Sequence, residues 1–184
     1  MNPKYFIIGL TGYAGSGKDT VRSILEEQGF AGMAFADPIR SMLRELLTSN
    51  GISDQYIDSR EFKEAIIPEL GVSYRQMAQT LGTEWGRALQ HDFWLRLAAS
   101  YVADLAEGGC THFVISDMRF ANEAKWVRDH GGLIWNVSRP DTKPVRNHPS
   151  EQEFLHFSAD HVIDNSGTVD QLREAVMTAI GAMA

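Results

Sequence analysis

The alternation of apolar runs with helix-patterned stretches predicts an α/β protein of three layers, with a mainly parallel sheet between helices. Two observations carry this. Runs near residues 4–10, 112–117, 133–137 and 161–164 read as strands, that at 112–117 as a buried parallel one, and stretches with apolar residues three and four apart separate them. The second is a glycine-rich turn, Gly12-Tyr13-Ala14-Gly15-Ser16-Gly17-Lys18-Asp19-Thr20, set between the first run and the first helical stretch.

After the strand at 4–10, a helix is expected from Lys18 to about Gln28, with Val21, Ile24 and Leu25 buried and Gly29 ending it. A short strand near 32–35 leads to Asp37-Pro38, where Asp37 is expected to cap a helix that Pro38 starts and that carries Met42, Leu43, Leu46 and Leu47. Asn50-Gly51 stops it. Residues 51–71 have no strong period and read as a loop with a short helical piece, closed by Pro68 and Gly71. One helix is then expected over 73–81 and another over 91–107, its buried row being Phe93, Leu97, Tyr101 and Leu105 before Gly108-Gly109. A strand at 112–117, a helix at 122–130, a strand at 133–137, a loop at 139–149, a strand at 161–164 and an amphipathic helix at 168–183 complete the chain.

With 184 residues and 43% apolar content, one well-buried core is expected, and a single domain with mobile flaps. A net charge of −7 speaks against general nucleic-acid binding, which relies on Lys and Arg neutralising phosphates. Among the basic residues twelve Arg outnumber five Lys, and the planar guanidinium suits bidentate contact with a small phosphorylated molecule. Cys110 is the single cysteine, and neither a leader pattern nor an apolar run of spanning length is seen, so the expected place is the cytoplasm, with no membrane partner.

The glycine-rich turn has the chemistry of a phosphate-binding loop. Its glycines let backbone N–H groups form a nest, the next helix contributes the positive end of its dipole, and Lys18 can reach β- and γ-phosphates. ATP or GTP is the expected ligand. Asp19 stands where a Mg²⁺-binding hydroxyl usually follows the lysine, and Thr20 comes one place later, so Asp19 or Thr20 is the expected magnesium ligand on this loop.

Three further groupings carry charge or polarity. Asp117, Arg119 and Glu123 follow an expected strand at the sheet edge where α/β proteins bind ligands. Arg119 there suits a substrate phosphate, Asp117 suits Mg²⁺ or substrate, and Glu123 suits a base, a sugar or Arg119; a helix cap with solvated charges is the alternative. Arg75, Gln79, Thr83 and Arg87 recur every fourth residue, as either a nucleotide-reading stripe or an ordinary exposed face, with Gly82 and Gly86 favouring a bend. Trp85 and Trp94 have the size to stack on a base or to fill a core. Arg139 and Arg146 flank a Pro-containing loop that reads as a lid over about 139–150, whereas His148, Ser150 and Glu151 read more simply as helix-start residues. Asn165-Ser166-Gly167 is a turn that either borders the adenine or merely connects.

Four blocks, Gly12–Thr20, Phe35-Ala36-Asp37-Pro38, the segment from Arg75 through Gln79, Gly82, Thr83, Glu84 and Gly86 to Arg87, and Asp117-x-Arg119-Phe120-x-Asn122-Glu123, resemble the deoxynucleoside monophosphate kinases of bacteriophages. That family belongs to the P-loop nucleoside monophosphate kinase superfamily. The resemblance implies a single P-loop kinase domain over 1–184, with a helical substrate-binding region at about 37–107, and ATP- and Mg²⁺-dependent phosphorylation of a deoxynucleoside monophosphate. By the same resemblance Lys18 is the phosphate-loop lysine and Asp117, Arg119 and Glu123, followed by Arg75, Gln79, Arg87 and Trp94, are substrate contacts, while the lid matches only loosely; taken with the residues read above, the catalytic candidates are Lys18, Arg119 and Arg139, and Asp37 and Thr83 join the substrate contacts. Asp117 joins Asp19 and Thr20 as a metal candidate, a homodimer is one expected assembly, and the setting is a bacterial cell or a phage-infected host. The nearest rival is a dephospho-coenzyme A kinase with Asp37 as base, phosphomevalonate kinase-like chemistry is more distant, and a GTP-dependent regulator is disfavoured because no Asn-Lys-x-Asp motif occurs.

Overall fold

The computed structural model describes residues 5–59, 61–140, 142 and 158–183. It divides into two compact units, residues 1–34 with 99–184, and residues 35–98.

The first unit is built on five parallel strands, β1 (Phe6–Thr11), β2 (Ala31–Met33), β5 (His112–Ile115), β6 (Leu133–Ser138) and β7 (His161–Asp164), in the order β2-β5-β1-β6-β7. Every pairing is parallel, and the described helices α1, α7 and α8 cover the two faces of the sheet, which gives the expected three layers. One face packs Ile8, Leu10, Val114, Trp135, Val137 and Ile163 against α1 (Lys18–Glu27) and α8 (Val169–Gly181). The α1 row is Val21, Ile24 and Leu25, as the spacing predicts, and α8 contributes Leu172, Val176 and Ala179. On the opposite face α7 (Ala121–Asp129) lays Val127 over Gly9, where an added Cβ would stand 2.8 Å from the Met118 sulfur. Thr168 caps α8 in a box with Gln171, the hydroxyl accepting from the Gln171 N–H at 3.3 Å while Gln171 Oε1 accepts from the Thr168 N–H at 2.8 Å.

The second unit begins with α2 (Asp37–Thr48), whose Ile39, Leu43 and Leu47 form a core with Ile52, Ile57, Ile67, Tyr74 and Trp94. Here the sequence expectation needs correcting. Ala36, without a side-chain bond, holds the cap position, and Asp37 is the first helical residue, paired with Arg40 at 3.0 Å. The stretch at 51–71 has its expected short helical piece, α3 (Gln55–Asp58), followed by a 3-10 turn at Phe62–Glu64, and adds a hairpin of β3 (Ile66–Ile67) with β4 (Val72–Ser73) that the sequence did not suggest. Pro68 and Gly71 close that hairpin, Gly71 at φ 69° donating its N–H to the Ile67 carbonyl.

Ser73 caps α4 (Tyr74–Gln79) by accepting from the Gln76 N–H at 3.2 Å, and the helix continues directly into a π-helical segment, Thr80–Gly86, and then α5 (Arg87–Leu89). Trp94 accounts for the wide turns: its indole N–H donates to the Gly82 carbonyl at 2.7 Å, and its ring occupies the place where a Gly86 Cβ would lie, 2.5 Å from ring atoms. In α6 (Phe93–Glu107) the buried row is Trp94, Ala98 and Val102, one position on from the predicted Phe93, Leu97, Tyr101 and Leu105; Leu97 and Tyr101 are exposed. Among the described residues no helix is long and apolar enough to cross a membrane.

Candidate active site

In the first unit the residues after β1, β5, β6 and β7 lie along one edge of the sheet, because the strands are parallel and in register. Gly9 pairs with Ile115, Thr11 with Asn136, and Ser138 with Asp164. The loop at 12–17, Asp117, Arg139 and Asn165 are therefore placed at the carboxyl edge, where ligands of such sheets bind.

The loop itself is a nest. Gly12, Gly15 and Gly17 have φ of 134°, 79° and 104°, values that an L side chain resists. Gly12 lies so close to β6 that a Cβ would stand 2.4 Å from the Val137 carbonyl oxygen. Lys18 Nζ donates to the Gly12 and Tyr13 carbonyls at 2.7 and 2.8 Å, folded back along the loop it would serve. The Ser16 hydroxyl is buried and has no hydrogen-bond partner among the described residues, the condition that a phosphate oxygen or an ordered water relieves. Asp19, exposed, and Thr20, half-buried, belong to the first turn of α1, whose Val21 N–H donates to the Gly17 carbonyl at 3.0 Å.

Past β5, Asp117 and Arg119 are half-buried. Glu123 is 4% exposed, and its Oε2 accepts the backbone N–H groups of Arg119 at 2.8 Å and Phe120 at 3.0 Å. That is one half of a capping box: Phe120 occupies the cap of α7 with no hydroxyl to offer, and the carboxylate three residues on accepts from the two backbone N–H groups at the helix start. Glu123→Ala should cost about 1–3 kcal/mol of stability, from two N–H groups left without an acceptor. Glu123→Gln keeps an acceptor oxygen and should lose less than half as much in urea unfolding. Equal losses would show that its charge, not the two backbone bonds, is what matters.

Most of the remaining substrate candidates belong to the second unit. Arg75 pairs with Glu64, Gln79 and Thr83 are half-buried, and Arg87 meets His91 Nε2 at 3.2 Å. Arg75 and Gln79 lie on α4, Thr83 in the π-helical segment and Arg87 at the start of α5. Trp94 is 5% exposed, a core residue with its N–H already engaged. Burial holds the Tyr74 phenol above its ordinary pKa against the pull of Arg40, Arg44 and Arg75. Arg139 is exposed, its carbonyl accepting from Thr142, and Arg146 with His148, Ser150, Glu151 and most of the expected lid lies outside the described residues. Two residues were missed or half-seen from sequence: Ser16 as an unpartnered hydroxyl, and Asn165, whose side chain reaches the loop from a position 149 residues away.

A five-stranded parallel sheet whose central strand ends in this nest is the structure of a P-loop kinase. The solved structure of a dephospho-CoA kinase from Campylobacter jejuni matches the fold with a TM-score of 0.50, at 15% identity and covering 98% of each chain. The sequence narrows the class: the model of the deoxynucleotide monophosphate kinase family matches residues 45–176, and the chain belongs to that family. A putative deoxynucleotide monophosphate kinase of Acanthamoeba polyphaga mimivirus is 31% identical over 189 residues, 95% of each chain. A dephospho-CoA kinase of Salinibacter ruber is 27% identical over 90% of this chain and 92% of its own. The protein is an enzyme, a phosphotransferase of the nucleotide monophosphate kinase kind.

Proposed function

We propose that the enzyme moves the γ-phosphoryl group of ATP to a deoxynucleoside monophosphate, giving the diphosphate and ADP. The observation that carries this reading is the family match over residues 45–176, which takes in both the Arg75–Arg87 and the Asp117–Glu123 blocks, joined to a nest suited to a triphosphate. A cytoplasmic setting, where ATP is at hand, belongs to the same reading.

An acceptor monophosphate needs little help to become a nucleophile. Its second pKa lies near 6, taking the phosphate-ester value, so the attacking oxygen is anionic at pH 7. The site must instead gather two anions and neutralise charge as it spreads in transfer. In this reading the N–H groups of residues 12–18 hold the β-phosphate, Lys18 leaves the Gly12 and Tyr13 carbonyls for the transferring group, and Arg119 and Arg139 supply further positive charge. Asp19, Thr20 and Asp117 are the oxygen donors that would hold Mg²⁺, which would supply positive charge against that of the phosphates. Glu123 holds the Arg119 backbone and acts through it. Asp37, Arg75, Gln79, Thr83 and Arg87 are assigned to the acceptor, and Trp94 to shaping the π-helical segment.

The second reading, transfer to the hydroxyl of dephospho-coenzyme A, is favoured by the Salinibacter relative, which spans nearly the whole chain. A coupled ADP-release assay with ATP, Mg²⁺, the four deoxynucleoside monophosphates, their ribose counterparts and dephospho-coenzyme A separates the two. Turnover restricted to monophosphates is expected. Turnover with dephospho-coenzyme A alone, abolished by Asp37→Asn, would move the assignment to a hydroxyl acceptor that needs a base.

A further inference from the structure

We propose that Asn165 is a positioning residue of the phosphate-binding loop, an amide clamp that fixes the peptide between Ser16 and Gly17. The inference rests on the reading of residues 12–18 as the ATP phosphate site. Asn165 Nδ2 donates to the Ser16 carbonyl at 2.8 Å. The peptide bond is planar and trans, so its carbonyl and its N–H point in opposite directions. Holding the Ser16 oxygen toward Asn165 therefore turns the Gly17 N–H away from Asn165, toward the concave side of the nest where the phosphate binds.

The surroundings are built for this contact. Gly17 leaves room for the amide: a Cβ there would lie 2.2 Å from Asn165 Nδ2, and at φ 104° only glycine is at ease. The Asn165 backbone N–H donates to the Ser138 carbonyl at 2.8 Å, which ties the residue to the end of β6. Asp164 accepts from the Ser166 N–H at 3.0 Å and the Ser166 hydroxyl at 2.8 Å, and the Thr168 and Gln171 box follows at once, so the turn is braced on both sides. Asn165 is thus a short, well-held side chain aimed at a carbonyl whose orientation sets an N–H of the nest. An alternative role for the same residue is direct contact with the adenine.

Calorimetric titration of the full chain with ATP and, separately, with inorganic tripolyphosphate tells these apart, using wild type, Asn165→Ala and Asn165→Asp. Each titration is paired with a thermal melt of the ligand-free protein. If Asn165 positions the loop, Asn165→Ala weakens both ligands by the same factor, about five- to tenfold for one net hydrogen bond, with KM for the acceptor unchanged. Asn165→Asp keeps the shape but loses the donor and faces a carbonyl oxygen, so it weakens both at least as much. Weakening of ATP alone would overturn the clamp in favour of an adenine contact. Weakening by Asn165→Asp alone would show added charge, and a lower melting temperature with unchanged affinity would show a structural role only; either overturns the proposal. Failure of the wild type to bind either polyphosphate would overturn the ATP site and the clamp together.

Discussion

Replacing Lys18 by alanine should lower kcat/KM about 10²- to 10³-fold, the loss expected when one preorganised donor to a charge-bearing transition state is removed. The ammonium group is now held by the Gly12 and Tyr13 carbonyls at 2.7 and 2.8 Å, and it sits on the first residue of α1 beside the nest. The exchange of two carbonyls for phosphate oxygens is favourable because the bonds to an anion are charge-assisted on both sides. The side chain is only half-buried, so the fold should survive its loss. The ADP-release assay and a thermal melt check this; turnover within threefold of wild type, at unchanged melting temperature, would remove Lys18 from the chemistry.

Gly12→Ala should be the most damaging single methyl in the first unit. Two penalties combine. At φ 134° the alanine backbone is strained by about 1–3 kcal/mol, and the new Cβ would stand 2.4 Å from the Val137 carbonyl oxygen, a backbone atom that cannot swing aside. The loop must move off β6 to relieve the contact, and with it go the N–H directions of the nest, so ATP affinity should be lost along with stability. Gly29→Ala is the control, since Gly29 also has positive φ, 89°, but nothing within 4 Å of the Cβ position. It should lose only the backbone strain, about 1–2 kcal/mol, and keep ATP binding. Equal losses for the two variants in urea unfolding would mean that the close approach to β6 carries no weight.

The parts legible in the sequence were those with short-range causes. Strands β1, β5 and β6 are apolar because they lie buried within the sheet, and the loop is glycine-rich because positive φ is needed at three places within six residues. Both signals are local. The row of α6 was read one residue early because Phe93, Leu97 and Tyr101 are larger than Ala98 and Val102, yet it is the smaller pair, with Trp94, that is buried. Size alone does not tell which of two adjacent apolar rows a helix buries. The π-helical segment was illegible because its cause is Trp94, twelve residues beyond the Gly82 carbonyl it captures. The β3–β4 hairpin has two residues in each strand, too few for any alternation to register. Glu123 showed as a charged residue of a ligand-binding edge, and its bonds to Arg119 and Phe120 are visible only once the cap of α7 is placed. Asn165 was noticed as a turn residue, and its long-range partner needed the parallel register of β6 and β7.

The strand order also fixes a timetable for the chain as it is made. The central strand is the first to leave the ribosome, but Phe6 pairs with His112 and Ile8 with Leu133, so the strand's neighbours on both sides emerge more than a hundred residues later. Residues 35–98, by contrast, form one uninterrupted stretch with a core of its own. The region assigned to the acceptor is therefore synthesised in full before the sheet that carries the phosphate nest can close, and Phe6–Thr11 must wait, apolar and unpaired, through the whole of that interval.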